Sequence, residues 1–268
     1  MAERIEKETL YIDVDNGVAT ITLNRPEVRN ALNRILLLEL MDAVNFAESS
    51  DGIRAIVITG EGPVFCAGGD FNWFLKLKDE PRDRIIPDLE LLSLSKYTIY
   101  ESRLPTIAKV RGAAIGGGCG IVVACDFAVA SEETMFGASE VRIGLVPAPF
   151  VQLMVKKLGE GTARRLMLSG ERIDAREAFD CGLISKISKS GELDTDTEKL
   201  VNAILAGGPE AVNRTKDLIR RTSRMETSAN GIHQILSETL ADSLTADEAR
   251  EGMTAFLEKR EPKWKIKS

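Results

Sequence analysis

The fold of this chain is decided by residues 105–120, which read Pro-Thr-Ile-Ala-Lys-Val-Arg-Gly-Ala-Ala-Ile-Gly-Gly-Gly-Cys-Gly. The first half, residues 106–111, is typical of a buried strand, and the second half is rich in glycine. The apolar run continues through residues 112–130 and contains one charged side chain, Asp126, which would be costly in lipid. The pattern therefore predicts a buried strand–loop–helix–strand unit and not a membrane span.

Strand and helix patterns alternate on the amino-terminal side of this stretch. Residues 9–15 and 18–23 read as two strands joined by Asn16-Gly17, a pair that favours a tight hairpin because both residues tolerate positive φ. A helix is predicted over residues 31–47, and a β-branched run at residues 53–59 predicts a buried strand. Strands that alternate with helices indicate an α/β fold.

Helical periodicity dominates the second half of the chain. Helices are predicted at residues 151–158, 162–168 and 175–180, and the tail beyond about residue 200 reads as helical throughout. We therefore divide the chain into a core, residues 1–200, and a helical carboxy-terminal region, residues 201–268.

Two further segments carry specific expectations. Thr245-Ala-Asp-Glu248 has the spacing of a capping box that would open the last helix. Residues 72–104 combine Pro81, Pro87 and a charged patch, and are expected to form either a mobile segment over a pocket or a surface excursion.

The composition excludes several classes of function. The net charge of −6 over 268 residues, without a basic cluster, argues against nucleic-acid binding. The four cysteines have no C-x-x-C spacing, so no zinc site is indicated, and they are too few for a disulfide scaffold. The first eight residues lack the apolar core of a signal peptide. We therefore expect a cytoplasmic protein that binds no metal ion, nucleic acid or membrane.

Two glycine-rich turns follow predicted strands. One reads Phe-Cys-Ala-Gly-Gly-Asp at residues 65–70, and the other reads Gly-Gly-Gly-Cys-Gly at residues 116–120. Glycines let a ligand approach the backbone, and the second turn opens a predicted helix whose free N–H groups favour an anion or a developing oxyanion. Close packing is the plainer interpretation of either turn alone. The second turn matches neither a phosphate-binding loop nor a dinucleotide fingerprint.

One carboxylate and one histidine limit the catalytic mechanisms that this chain can use. Glu140 lies in Ser-Glu-Val-Arg-Ile-Gly-Leu-Val-Pro, residues 139–147, where desolvation would raise its pKa and suit it to acid–base catalysis; a solvated helix cap is the plainer alternative. His233 is the only histidine and lies in the helical tail, far from both turns in sequence. Because serine and cysteine triads need a histidine, proton transfer by a carboxylate is the chemistry that remains.

Four motifs in this order and spacing resemble the enoyl-CoA hydratase/isomerase (crotonase) family, from about residue 10 to residue 262. They are Asn-Arg-Pro-Glu-Val-Arg-Asn-Ala-Leu at residues 24–32, the two glycine-rich turns, and Phe-Gly-Ala-Ser-Glu at residues 136–140. The resemblance implies an α/β fold built as a crotonase-like spiral of ββα units, followed by a helical trimerisation region. It also implies assembly as a homotrimer or as a dimer of trimers.

The resemblance further implies roles for particular residues. The amides of Gly69 and Gly117 would hold the thioester oxygen as it becomes an enolate, and Glu140 would carry the proton. No permanently bound cofactor is implied, since coenzyme A arrives as part of an acyl-CoA substrate. The coenzyme A part would contact Arg29, Ala31, Ala67 and Asp70, together with Phe256 and Lys259 from a neighbouring subunit.

One departure from the family pattern leaves the reaction open. Hydratases with two glutamates carry one directly after Gly-Gly-Gly-x, where this chain has Gly120, and the other where it has Glu140. One carboxylate is enough for double-bond isomerisation, yet residues 105–112 and 139–148 also resemble methylglutaconyl-CoA-type hydratases with glycine at that place. We therefore predict an enoyl-CoA hydratase, with an isomerase as the alternative. A non-catalytic acyl-CoA binder and an RNA-binding relative are further alternatives.

Overall fold

The computed structural model describes residues 3–223 and 229–265, and a seven-stranded sheet lies at its centre. The sheet has the order β1-β2-β3-β4-β5-β7-β10, antiparallel from β1 to β3 and parallel from β3 onward, while β6, β8 and β9 form a small second sheet. In chain order the strands are β1 (Glu3–Glu6), β2 (Leu10–Asp15), β3 (Val18–Leu23), β4 (Ala55–Gly60), β5 (Thr106–Val110), β6 (Ala113–Ile115), β7 (Phe127–Ser131), β8 (Met135–Gly137), β9 (Arg172–Asp174) and β10 (Lys186–Ser188).

Helices cover both faces of the large sheet. Helix α1 packs against α3, α3 packs against α4, and α7 packs against β4, β5 and β7. The helices are α1 (Arg34–Ser49), α2 (Phe71–Leu77), α3 (Arg82–Glu101), α4 (Gly117–Ala124), α5 (Val151–Ser169), α6 (Ala175–Asp180), α7 (Leu193–Leu205), α8 (Pro209–Thr222), α9 (Ala229–Leu244) and α10 (Asp247–Leu257).

The central parallel strands are buried on both faces, which is why their sequences are continuously apolar. Ile56 and Ile58 of β4 belong to the main core, which also contains the buried side chains of α1, α3 and α4. The alternate residue, Val57, joins Ile107 of β5 and Val129 of β7 in a second cluster beneath α7. The sheet is therefore a rigid platform whose strand ends can position loops accurately.

The strand and hairpin predictions for the amino-terminal half are confirmed. Strands β2 and β3 pair around Asn16 and Gly17, whose φ values are 47° and 78°. Residues 112–130 contain β6, α4 and β7, and within the described ranges no helix is long and apolar enough to cross a membrane. Strand β1 was not predicted, because it is a short, charged edge strand with no apolar alternation.

Helix α1 begins later than predicted, because Asn33 caps it. The side chain of Asn33 accepts a hydrogen bond of 2.9 Å from the backbone N–H of Leu36, which ends the preceding extended segment. Leu32 therefore lies outside the helix, and Ile35, predicted on its buried stripe, is 38% exposed.

Residues 72–104, expected to form either a mobile segment over a pocket or a surface excursion, are largely helical. The segment contains α2 and the 20-residue helix α3, which holds Pro87 within its amino-terminal half. That half lies at the surface, whereas the carboxy-terminal half buries Leu92, Ser95, Lys96 and Ile99 against the core. The prolines and charges obscured the helical period, because they occupy the exposed half, where packing does not constrain the sequence.

The predicted capping box at Thr245 is also wrong. The Thr245 hydroxyl donates to the carbonyl of Ala241, and the cap residue Ala246 offers α10 no side-chain acceptor. Glu248 instead accepts hydrogen bonds from the backbone N–H groups of Glu210 (3.0 Å) and Ala211 (2.8 Å) in the first turn of α8. The carboxylate therefore caps a neighbouring helix and ties α10 to α8.

The boundary drawn at residue 200 stays a prediction. Helix α7 crosses it and packs on the large sheet, and the described residues that follow form α8, α9 and α10.

We predict that Glu248→Ala lowers stability, because two N–H groups of α8 lose their acceptor. The expected cost is about 1 kcal/mol, the usual value for a helix cap, which corresponds to a fall in Tm of about 2–4 °C for a chain of this size. Thermal unfolding followed by circular dichroism measures it. Glu198→Ala, at an exposed glutamate on α7, is the matched control, and an equal effect of both substitutions would contradict the capping role.

Candidate functional site

The first glycine-rich turn is fixed beside the amino end of α4 by a backbone bridge. The N–H of Cys66 donates to the carbonyl of Ala113 (3.1 Å), and the N–H of Ile115 donates to the carbonyl of Cys66 (3.0 Å). Both glycine-rich turns therefore leave the same region of the fold, one after β4 and one after β6. Backbone hydrogen bonds therefore hold the two turns together.

The N–H group of Gly69 points away from the chain segment that precedes α1. Leu32 donates to the carbonyl of Gly68 (2.7 Å) and accepts from the N–H of Asp70 (2.9 Å). Because successive peptide groups of an extended chain face opposite sides, the intervening N–H of Gly69 faces the other side. A Cβ at Gly69 would lie 2.3 Å from the ring of Phe74, so this position is restricted to glycine unless that ring moves.

The N–H group of Gly117 is free at the start of α4. Gly116, with φ of 53°, precedes the helix, and the N–H of Gly120 donates to its carbonyl (3.0 Å) as the first helical hydrogen bond. The N–H of Gly117 comes before that bond and has no acceptor within the helix. A Cβ at Gly117 would lie 4.0 Å from the carbonyl carbon of Gly68, so the two turns are in contact.

Glu140 projects its carboxylate toward the second turn. Its Oε1 atom is 2.9 Å from the position that a Cβ of Gly116 would occupy. Glu140 is the first residue of a 3-10 turn, Glu140–Ile143. Gly144 ends this turn, and the N–H of Leu145 donates a hydrogen bond of 3.0 Å to the carbonyl of Glu140. The solvated-cap alternative is therefore wrong, because the carboxylate lies against the glycine backbone.

The environment of Glu140 favours a carboxyl group that can exchange protons. Its Oε2 atom is buried and has no hydrogen-bond partner among the described residues. Burial raises the pKa of Glu140, and its own backbone N–H and the Lys96 ammonium oppose that rise. Such a group accepts and releases a proton more readily near neutral pH than an exposed glutamate does.

Lys96 of α3 is a site residue that the sequence interpretation missed. It is 0% exposed, and its Nζ is 3.8 Å from the position of a Cβ at Gly117. Burial lowers the pKa of Lys96 to about 8. A signal was present in the sequence, because Lys96 falls in line with the apolar side chains of Leu92 and Ile99 at helical spacing.

The place of a second carboxylate is filled by an aromatic ring. A Cβ at Gly120 would lie 2.9 Å from Cδ1 and 3.0 Å from Cγ of Phe150, which is 1% exposed. A longer side chain at residue 120 therefore needs Phe150 to move. Of the two carboxylate positions, only Glu140 is occupied.

Four of the residues predicted to contact coenzyme A lie together beside the first turn; they are Arg29, Ala31, Ala67 and Asp70. The N–H of Ala67 donates to the carbonyl of Arg29 (2.9 Å), whose own φ is 54°. Arg25 donates to the carbonyl of Ala31 and to Asp70 Oδ2, the latter at 3.0 Å, and the sequence did not predict these contacts. This pairing brings the segment before α1 against the first glycine-rich turn.

Asp70 caps the amino end of helix α2. Its Oδ1 accepts from the N–H groups of Asn72 (3.0 Å) and Trp73 (3.4 Å) at the start of α2, and the residue is buried. A direct contact between Asp70 and a ligand stays a prediction.

The carboxy-terminal residues predicted for the site lie elsewhere in the single chain. Phe256 is 83% exposed, Lys259 follows α10 with φ of 55°, and no described contact joins either to the glycine-rich turns. Their contribution to a neighbouring subunit stays a prediction. His233 is exposed on α9, and within residues 3–223 and 229–265 no group of three or more His, Cys, Asp or Glu could hold a metal ion.

The sequence of this chain is similar to known proteins along nearly its whole length. The model of the family described as enoyl-CoA hydratase/isomerase matches residues 13–267. The crotonyl-CoA hydratase of Syntrophomonas wolfei is 32% identical, with 94% of this chain and 96% of the relative aligned. The trans-2-decenoyl-[acyl-carrier-protein] isomerase of Streptococcus mutans is 30% identical over 96% of this chain and 98% of its own.

Solved structures show the same fold. The crystal structure of an enoyl-CoA hydratase/isomerase from Marinobacter aquaeolei has a TM-score of 0.89 and 33% identity, with 96% of this chain and 98% of that chain covered. An enoyl-CoA hydratase from Shewanella pealeana has a TM-score of 0.91 and 29% identity, with 96% of each chain covered. This chain therefore has the crotonase fold and belongs to the enoyl-CoA hydratase/isomerase family.

Proposed function

We propose that this protein is an enoyl-CoA hydratase in which one glutamate and two backbone amides carry the reaction. The observation that supports it is the position of Glu140, whose carboxylate lies against Gly116 at the contact between the two glycine-rich turns. A thioester carbonyl held by the amides of Gly69 and Gly117 would have its α and β carbons within reach of that carboxylate.

The two amides would lower the energy of the enolate. As the double bond of the substrate is attacked, its electrons move onto the thioester oxygen, and the N–H groups of Gly69 and Gly117 donate to that oxygen. Loss of one such donor typically reduces kcat by about 10²–10³. Because both donors are backbone groups fixed by the sheet, they need little rearrangement during the reaction.

Glu140 would handle both proton transfers in turn. Its carboxylate takes a proton from water while the water oxygen bonds to C3 and the C2=C3 electrons form the enolate. The protonated Glu140 then returns a proton to C2, which gives a β-hydroxyacyl-CoA and regenerates the carboxylate. One water is added in total, and no further reactant is needed.

Double-bond isomerisation is the second candidate, and Phe150 favours it. Because the Phe150 ring fills the space beside Gly120, residue 120 supplies no second carboxylate to share the handling of water. A single Glu140 could take a proton from one carbon and return it to another without water. The Streptococcus mutans relative, named an isomerase, is compatible with this reaction.

The substrate and assembly proposals rest on the mouth of the site and on the helical tail. Arg29, which is exposed beside Ala67, would pair with a phosphate of coenzyme A. Exposed apolar side chains on α9 and α10 support a homotrimer or a dimer of trimers, in which Phe256 and Lys259 complete a neighbour's site; they include Leu240, Leu244, Met253 and Leu257. We further propose a cytoplasmic protein with no permanently bound cofactor.

We predict that Glu140→Gln lowers kcat by about 10²–10⁴, the range for loss of a general acid–base group, while the fold persists. Wild type and variant are incubated with a panel of 2- and 3-enoyl-CoAs in D₂O, and the products are identified by mass spectrometry. A deuterated β-hydroxyacyl-CoA indicates a hydratase, and a shifted double bond indicates an isomerase. Glu133→Gln, at an exposed glutamate, is the matched control.

Two results would count against this proposal. Full activity of Glu140→Gln would remove Glu140 from the mechanism. Binding of the CoA thioesters without turnover by the wild-type protein would favour the non-catalytic binder, and salt-sensitive binding of RNA without thioester binding would favour the RNA-binding alternative.

We predict that kcat/KM falls toward acid pH at a higher pH than an exposed glutamate would cause. Glu140 must be ionised to accept a proton, and burial raises its pKa from the ordinary 4.5, so activity is lost as pH falls through that raised value. The charged or titratable groups near it are Lys96 and the Cys119 thiol, which stays protonated because burial raises its pKa to about 12. A profile that is flat down to pH ~4 would contradict this.

We predict that Gly120→Ala destabilises the protein by about 1–3 kcal/mol, because the added methyl group overpacks against Phe150. The penalty should disappear in the Phe150→Ala background, as a double-mutant cycle by thermal unfolding can measure. Gly161→Ala is the matched control, since that helical glycine has open space around it and should gain up to about 1 kcal/mol. A neutral Gly120→Ala would show that residue 120 can hold a side chain.

A further inference from the structure

The buried ammonium of Lys96 lies beside Gly117 at the start of α4. The Nζ is 3.8 Å from where a Cβ of Gly117 would be. In a helix, Cα–Cβ bonds tilt toward the amino end, which is also the direction of the N–H groups. The ammonium therefore lies close to the free N–H of Gly117.

Lys96 is also incompletely satisfied by the protein. An ammonium has three donors, and the described contacts give it one hydrogen bond, to Ser95 Oγ at 3.3 Å. The other titratable groups near it are Cys66, on the first glycine-rich turn, and Glu140, and no ion pair joins Lys96 to either. The Cys66 thiol is uncharged, because burial raises its pKa to about 11.

A second, half-buried lysine shows what a structural role looks like in this fold. Lys157 of α5 donates to the carbonyls of Cys125 (2.7 Å) and Val122 (3.4 Å) at the carboxy end of α4. There the cation satisfies helix carbonyls and complements the helix dipole. Lys96 lies near the opposite end of the same helix, where the dipole repels a cation, and it caps no carbonyl.

The position of Lys96 is therefore costly for folding. A cation that is buried without an ion pair or a full set of hydrogen bonds destabilises the folded state. The amino end of α4 adds to that cost. A negative charge that develops beside Gly117 during the reaction would offset this cost by pairing with the Lys96 cation.

We infer that Lys96 is a further catalytic residue, whose ammonium stabilises the enolate oxygen held at Gly117. The inference rests on the proposed function. When Glu140 takes a proton, the negative charge moves from the carboxylate to the thioester oxygen, and Lys96 lies beside its destination. The cation supplies a second charged group in a site where Gly120 provides none.

Lys96→Met tests the inference, because methionine has a similar length and no charge. We expect kcat to fall by about 10²–10³, as for loss of an oxyanion donor, with little change in KM. The Tm should stay the same or rise, since a buried charge has been removed. A merely structural lysine would give the reverse, a lower Tm with kcat per folded molecule unchanged.

A binding measurement gives a readout that does not depend on turnover. Acetoacetyl-CoA has an acidic α proton, and its enolate is detected by near-ultraviolet absorbance. We expect the wild type to bind it with an increased enolate fraction and Lys96→Met to lower the bound enolate-to-ketone ratio at least about tenfold. Lys157→Met should leave that ratio unchanged while it lowers the Tm. Lys96→Gln replaces Lys96→Met if the latter does not fold.

These experiments test the role of Lys96 separately from the proposed function. If Glu140→Gln abolishes turnover while Lys96→Met keeps both kcat and the enolate ratio, the role of Lys96 is wrong and the proposed function stands. If the wild type neither turns over an enoyl-CoA nor raises the enolate fraction of acetoacetyl-CoA, the proposed function is wrong, and the role of Lys96 is wrong with it.

Discussion

The close approach of two backbone turns is the constraint on which the rest of the structure depends. Gly68 and Gly117 are near enough that a Cβ on the second would contact the carbonyl carbon of the first. The bridge between Cys66 and β6 holds them there, and Leu32 orients the peptide groups around Gly69. A Cβ at Gly68 would lie 3.0 Å from the carbonyl oxygen of Ile115 and would press on the second turn. The site is therefore built from peptide groups and needs a rigid sheet behind it.

The surrounding charges follow from that constraint. Peptide N–H groups provide partial positive charge only, so a full charge must come from side chains that reach the turns from other elements. Glu140 reaches them from the 3-10 turn after β8, and Lys96 reaches them from α3. Burial raises the pKa of Glu140 and lowers the pKa of Lys96, so it favours the neutral form of each side chain. The site thus keeps two opposite charges in a setting where neither is well solvated.

Sequence reasoning succeeded where short-range chemistry determines structure. Asn16-Gly17, the β-branched run of β4 and the glycine-rich start of α4 each specify their local conformation, and four motifs together identified the family. It failed where tertiary packing decides: residues 72–104 are helical because half of α3 is buried, and Glu248 caps α8 through space. Lys96 was missed because the prolines and charges of residues 72–104 hide the helical period, and the Arg25–Asp70 ion pair was missed because its partners are distant in sequence.

The roles of individual residues depend on features that no local pattern encodes. The contact of Glu140 with Gly116 requires the turn after β8 to fold back over α4, and the role predicted for the exposed Phe256 requires a neighbouring subunit. Sequence resemblance named both residues without supplying their geometry.

The packing of Phe150 on Gly120 also restricts how this enzyme can diverge. A glutamate acquired first at residue 120 would meet an aromatic ring, and a smaller residue acquired first at 150 would leave a void beside α4. Each single step passes through a less stable protein, so the two positions must change nearly together. Under the proposed function, this packing therefore favours chemistry in which Glu140 is the one catalytic carboxylate.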